Sequence, residues 1–155
     1  IAKEALLWLV KLLVLLHRLR LCDGAAAVQR LKLRRSESQV LLHALAKWRV
    51  ALHVLTSPGA TPGEIAGVLN GWSPEGLLLL HLLGGGQGIV RYWEEWRHVR
   101  LAISSADLLA AGVPEGPAIR RALERVLRER LNGRVLERDA QLRLALAHAQ
   151  GQLGD

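Results

Sequence analysis

Apolar residues recur at intervals of three and four along almost the whole chain, and no segment alternates apolar and polar residues as a strand would. The clearest case runs from 117 to 131. Ile119, Ala122, Leu123, Val126, Leu127 and Leu131 fall on one face, and Arg120, Arg121, Arg125, Arg128 and Arg130 are assigned to the opposite one. Residues 2–20 are apolar nearly all round. That predicts a first helix in the middle of a bundle, with Lys3, Lys11 and Arg18 sharing one exposed edge. A short helix over 24–32 with Asp23 as its cap follows. A longer one runs from Ser36 to about Leu55, with Val40, Leu41, Ala44, Leu45 and Trp48 on its apolar side. Further helices are expected from Pro62 to Asn70, from Pro74 to Gly84, from Ile89 to Arg100, over 106–111 and over 137–150. In the last, Leu142, Ala145 and Leu146 face inward, and the tail from Gly151 is expected to fray. The fold class is all-α, an irregular multi-helix array of about eight or nine helices.

Helix boundaries are written in the punctuation. Ser36 with Gln39, and Thr61 with Glu64, have capping-box spacing, and Ser73 precedes Pro74 as a cap before a first-turn proline. Ser104 or Ser105 caps the short helix at 106–111, whose far end is Gly112 in a left-handed conformation. Pro117 opens the next helix, where its missing N–H costs nothing, and Gly133 stops it. Gly84-Gly85-Gly86-Gln87-Gly88 lacks the Lys and hydroxyl that end a phosphate-binding loop and follows a helical run, so it reads as a helix–helix turn. It divides a helical body, 1–83, from a helical tail, 89–150.

Ile103, Asp107-Leu108-Leu109, Gly112, Pro114, Gly116-Pro117, Ile119, Leu123 and Leu131-Asn132-Gly133 carry a more specific signal. In that order they resemble the C-terminal part of bacterial class II tRNA nucleotidyltransferases and poly(A) polymerases, the CCA-adding or A-adding enzymes. The phrase from Arg30 to Leu45 is loosely similar to the body region of the same family. The chain departs from the family pattern near Ser105 and at Arg120, where glycine is expected, and at Arg134, where an acidic residue is expected. The resemblance implies a region that grips tRNA along the acceptor stem and elbow, attached to a catalytic head that adds C or A residues to the tRNA 3′ end.

Composition sharpens that expectation. The 155 residues carry a formal net charge of +7, with a pI of about 10.7. A basic balance of this size suits a polyanionic partner, nucleic acid before anionic membrane. Half the residues are hydrophobic, which speaks against disorder. The one cysteine, Cys22, has no disulfide or zinc partner and is expected to be buried in a reduced, cytoplasmic protein. The apolar run 5–16 is interrupted by Lys11 and too short to span a membrane. A start at Ile-Ala-Lys-Glu reads as a piece of something longer, and the apolar first helix would be covered by preceding residues or by a second chain, so an oligomer stays open.

Enzymatic groups are sparse. Polymerases of this family hold two metal ions on an Asp-x-Asp pair, and this chain has none. Glu137-Arg138-Asp139 is the nearest approach, at a helix start where acidic residues complement the dipole. His17, His43, His53, His81, His98 and His148 form no metal-ligand pattern, and no serine sits in a glycine-flanked elbow. No catalytic or metal-binding residue is assigned. The chain alone is expected to be inactive and to need no cofactor, the catalytic head in cis using magnesium with CTP or ATP.

Binding is what remains. The helix start at Gly116-Pro117 offers unpaired N–H groups, and Arg120, Arg121, Arg125 and Arg128 can meet phosphate in bidentate fashion. Arg97, Arg100 and Arg134 complete the expected RNA-binding set. The expected partner is tRNA, and no membrane. Two alternatives stay open. One is a helix-hairpin-helix-like module for non-specific DNA binding, since helix, Gly112 to Gly116, helix has that flavour. The other is a helical domain docking a protein through Trp93, Trp96 or the glycine-rich turn.

Overall fold

The computed structural model describes residues 1–151, and every regular element among them is helical. In chain order these are α1 (Leu7–Leu16), α2 (Leu21–Leu31), α3 (Arg35–Thr56), α4 (Pro62–Leu69), α5 (Pro74–Leu80), α6 (Gly86–Glu94), α7 (Ser105–Ala110), α8 (Pro117–Leu131) and α9 (Arg138–Gly151). A π-turn, His81–Gly85, leads from α5 to α6, and a 3₁₀ turn, Trp96–His98, follows α6. The expected fraying of the tail starts at Gly151; Gly151 ends α9, and residues 152–155 lie outside the described residues. Two compact units emerge. One joins Ile1–Ala60 with Val68–Glu94, the other Thr61–Gly67 with Glu95–Asp155.

In the first unit α3 packs against α1, α2, α5 and α6, and α1 lies against α5. Leu41, Ala44, Leu45 and Ala51 line the inner side of α3, as its period requires. The helix begins one residue before the expected Ser36 and Gln39 box. The Glu37 carboxylate accepts from the Arg34 N–H at 2.8 Å, so an acidic side chain at the third position sets the start. The first helix differs more. It covers 7–16, not 2–20, and buries Leu9, Val10 and Leu13 alone. Leu7 and Leu15 are 61% and 77% exposed, so this is a helix on the surface of the unit rather than at its middle. The Leu6 N–H, left without a helical partner at the start of α1, is taken by the carboxylate of Glu75 at 3.0 Å. Helix α2 starts at Leu21, which puts Asp23 in its first turn instead of at its cap and leaves Cys22 exposed, not buried. Helix α6 stops at Glu94, short of the expected Arg100. The glycines expected as a plain turn divide: Gly84 and Gly85 close the π-turn, and Gly86 and Gly88 lie in α6.

In the second unit α8 packs on α9, and α7 packs on both. Ile103, Leu108, Val113, Ile119, Ala122, Val126, Ala145 and Ala149 form one apolar cluster. Both punctuating glycines do what L-residues resist. Gly112 and Gly133 have φ of +88° and +75°. Behind each, the chain closes a Schellman cap. Gly112 N–H meets Leu109 C=O and Val113 N–H meets Leu108 C=O. Likewise Gly133 N–H meets Arg130 C=O and Arg134 N–H meets Glu129 C=O. A buried glutamine fastens the middle: Gln141 accepts from the Ala102 N–H at 2.9 Å and donates to the Leu136 carbonyl at 3.0 Å. Both its amide atoms are used, which is what makes a fully buried amide tolerable.

Candidate nucleic-acid interface

The arginines assigned to a single face of α8 separate into three groups. Arg121, Arg125 and Arg128 are spaced by four and three, which stacks them along one stripe. All three are exposed. Arg120 lies off that stripe and pairs with Glu124 at 2.8 Å, which raises the guanidinium pKa above its ordinary value. Arg130 falls on the opposite side of the helix, in register with Ile119 and Leu123, and donates to the Leu136 carbonyl at 3.1 Å.

Glu129 organises one edge of the stripe. Its side chain sits in the inward register with Ile119, Ala122 and Val126, and the residue is 7% exposed. One carboxylate oxygen meets Arg125 Nη2 at 3.2 Å, and the other meets Arg134 Nη1 at 3.0 Å. Arg134 arrives there because the Gly133 cap turns the chain back over the last turn of α8. Both arginine side chains remain exposed to solvent. At the other edge, the start of α4 approaches Arg128. The Gly63 N–H donates to Asn132 Oδ1 at 2.8 Å. A Cβ on Gly63 would lie 2.5 Å from both Cγ and the carbonyl oxygen of Arg128, so only glycine allows this approach. Glu64 closes a capping box with Thr61. Hydrogen bonds from the Thr61 N–H and hydroxyl, and to a lesser degree Arg128, hold its carboxyl below the usual pKa.

Gly116 lies apart from the stripe. It lines a groove of about 450 Å³ between α7 and the first turns of α8, walled by Leu101, Leu109, Ile119, Leu123 and Leu127. Glu115, Arg120 and Glu124 line the same groove, Arg120 and Glu124 as an ion pair. Arg100 donates to the Arg97 and Val99 carbonyls, and Arg97 donates to His98 Nε2 at 3.2 Å. The residues brought together are thus Arg121, Arg125, Arg128 and Arg134.

Two contributors escape a reading of the arginines alone. Glu129 was legible as an inward position, since it continues the 119, 122, 126 spacing. Asn132 was legible only as part of the Leu131-Asn132-Gly133 string, and its bond to Gly63 was not legible, because that partner is 69 residues away. Among the described residues no cluster of His, Cys, Asp or Glu is arranged to hold a metal. Arg138, inside the nearest thing to an Asp-x-Asp pair, bonds Asp107 at 2.6 Å. No helix among them is long and apolar enough to cross a membrane.

Comparison with known proteins gives one partial likeness. A stretch of 82 residues, 50% of this chain, is 37% identical to the A-adding tRNA nucleotidyltransferase of Geobacter sulfurreducens (strain ATCC 51573 / DSM 12127 / PCA). The matched part spans 9% of that protein's length. No family model matches the chain, and no solved structure matches it. Half of the chain is thus similar to a tRNA nucleotidyltransferase, in line with the family named from the sequence.

Proposed function

We propose that this chain is a tRNA-gripping C-terminal helical part of a tRNA nucleotidyltransferase, a protein that adds nucleotides to the tRNA 3′ end. The observation that carries the reading is the 37% identity to an A-adding tRNA nucleotidyltransferase. The arginine stripe of α8 supports it. Duplex RNA hides its base edges in a deep major groove, so a tRNA grip works through phosphates, 2′-hydroxyls and shape. Three exposed guanidinium groups in a row on a rigid helix suit that task, since each can face a phosphate with two donors. The chain has no Asp-x-Asp pair, so the magnesium ions and the CTP or ATP belong, on this reading, to a catalytic part outside this chain.

Binding of the chain to deacylated tRNA and to a DNA duplex of matched charge, at two salt concentrations, tests the proposal. The expected outcome is preference for tRNA with a steep loss of affinity as salt rises. Equal affinity for both would favour a non-specific DNA-binding module. No binding at low salt would overturn a nucleic-acid role for this chain.

A further inference from the structure

We propose that Glu129 is a positioning residue that holds Arg125 and Arg134 as a two-guanidinium clamp for a single backbone phosphate; as a clamp for RNA, this rests on the tRNA reading above.

The geometry shows how the clamp is built. Glu129 is nearly buried, yet carries two cations, one on each carboxylate oxygen. A lone surface salt bridge would need neither the burial nor the second arginine. The two arginines reach it by different routes. Arg125 lies one turn earlier on α8, at i−4. Arg134 lies beyond the helix end, and its own N–H is tied to the Glu129 carbonyl at 2.9 Å. Both ends of Arg134 are therefore anchored to one residue, which fixes its guanidinium more firmly than a free surface arginine. Each guanidinium gives one terminal nitrogen to Glu129. The Nε and the second Nη of each remain, and the side chains are 47% and 65% exposed. Two cations around one carboxylate leave a net positive charge beside the Arg121–Arg128 stripe. A phosphodiester presents two unshared oxygens, one for each guanidinium.

Glu129→Gln separates positioning from charge, because the two predict opposite signs. The substitution removes a negative charge from a chain of net charge +7. If charge alone governed binding, tRNA affinity would rise. If Glu129 positions the clamp, affinity falls by about three- to tenfold, and the slope of log affinity against log salt flattens by roughly one phosphate contact. A fluorescently labelled tRNA transcript, titrated at about 50 and about 200 mM KCl, reads both quantities. Circular dichroism checks that the variant is folded. Arg134→Gln, which leaves α8 and the Glu129–Arg125 pair in place, keeps the slope test available if Glu129→Gln lowers stability. The Nε–H resonances of Arg125 and Arg134, followed while inorganic pyrophosphate is added, supply a second readout.

Weaker binding and a flatter slope in Glu129→Gln support the clamp. Unchanged or tighter binding in Glu129→Gln, with weaker binding in Arg121→Gln, overturns the clamp and leaves the tRNA reading standing. If the parent chain fails to bind tRNA, yet pyrophosphate moves both resonances in it and not in Glu129→Gln, the clamp stands and the tRNA reading falls. No movement in either protein, without tRNA binding, overturns both.

Discussion

Single side chains in this protein are specified by what surrounds them. Gly63 is glycine because the stem and carbonyl of Arg128 occupy the place of a Cβ. Gln141 is tolerated in the interior because both its amide atoms are bonded. His43 has a more delicate position. Its ring meets Trp72 edge to face at 4.9 Å. Burial first, and Lys47 second, lower its pKa from 6.5. The folded protein thus prefers the neutral imidazole. A group whose pKa is lower in the folded state contributes stability that is present above its unfolded value and is lost as pH falls through the folded one. The urea midpoint should therefore decline as pH drops below about 6.5, and the decline should be shallower in His43→Gln. An imidazole titration of His43 by NMR should show a midpoint below 6.5; a midpoint at or above that value would refute the argument.

At the scale of an element, a helix here is fixed by its ends as much as by its apolar stripe. Asp107 shows this for α7. Its carboxylate accepts from the Ser104 N–H at 2.7 Å and from the Ser104 hydroxyl at 2.9 Å, and it meets Arg138 of α9. The Ser104 N–H, then its hydroxyl, then Arg138 hold its pKa below the ordinary 3.8. This depressed carboxylate stabilises the fold at neutral pH, and the contribution disappears as pH falls through the folded pKa. Asp107→Asn keeps a capping acceptor and removes the charge. Its urea midpoint should lie below that of the parent near neutrality, and the two should converge on acidification. A constant gap at all pH values would mean that shape, not charge, is what Asp107 supplies. Ends of this kind were readable in advance. Thr61 with Glu64, Ser73, Gly112, Pro117 and Gly133 all mark boundaries where local chemistry alone decides. The first helix was not readable in the same way. A run of leucines states that a helix is apolar, and it does not state how many sides have neighbours. Only the pairing of α1 with α3 and α5 determines that Leu9, Val10 and Leu13 are covered and Leu15 is not. The arginines of α8 fall between these cases. Their spacing was legible, but the diversion of Arg120 to Glu124 and of Arg130 to Leu136 depended on partners.

For the whole molecule, the question is whether nucleic-acid binding would follow total charge or its placement. A net charge of +7 attracts any polyanion, and every arginine contributes to that long-range field. Contacts are different, because each phosphate neutralised releases counterions and adds to the salt slope. Two double reversals distinguish the possibilities. Arg121→Glu with Arg128→Glu removes two members of the stripe. Arg125 is left in place, since Glu129 would otherwise lose a partner. Arg30→Glu with Arg35→Glu makes the same change of charge on exposed positions of α2 and α3. If total charge governs, both variants lose tRNA affinity equally. If the stripe is the contact surface, the α8 variant alone loses about tenfold or more, and its salt slope flattens by roughly two contacts. The α2–α3 variant then loses affinity only through the weaker field, an effect that salt screens at about 0.15 M. Equal slopes in the two variants would remove α8 from the interface and move the search to the basic residues of the other unit.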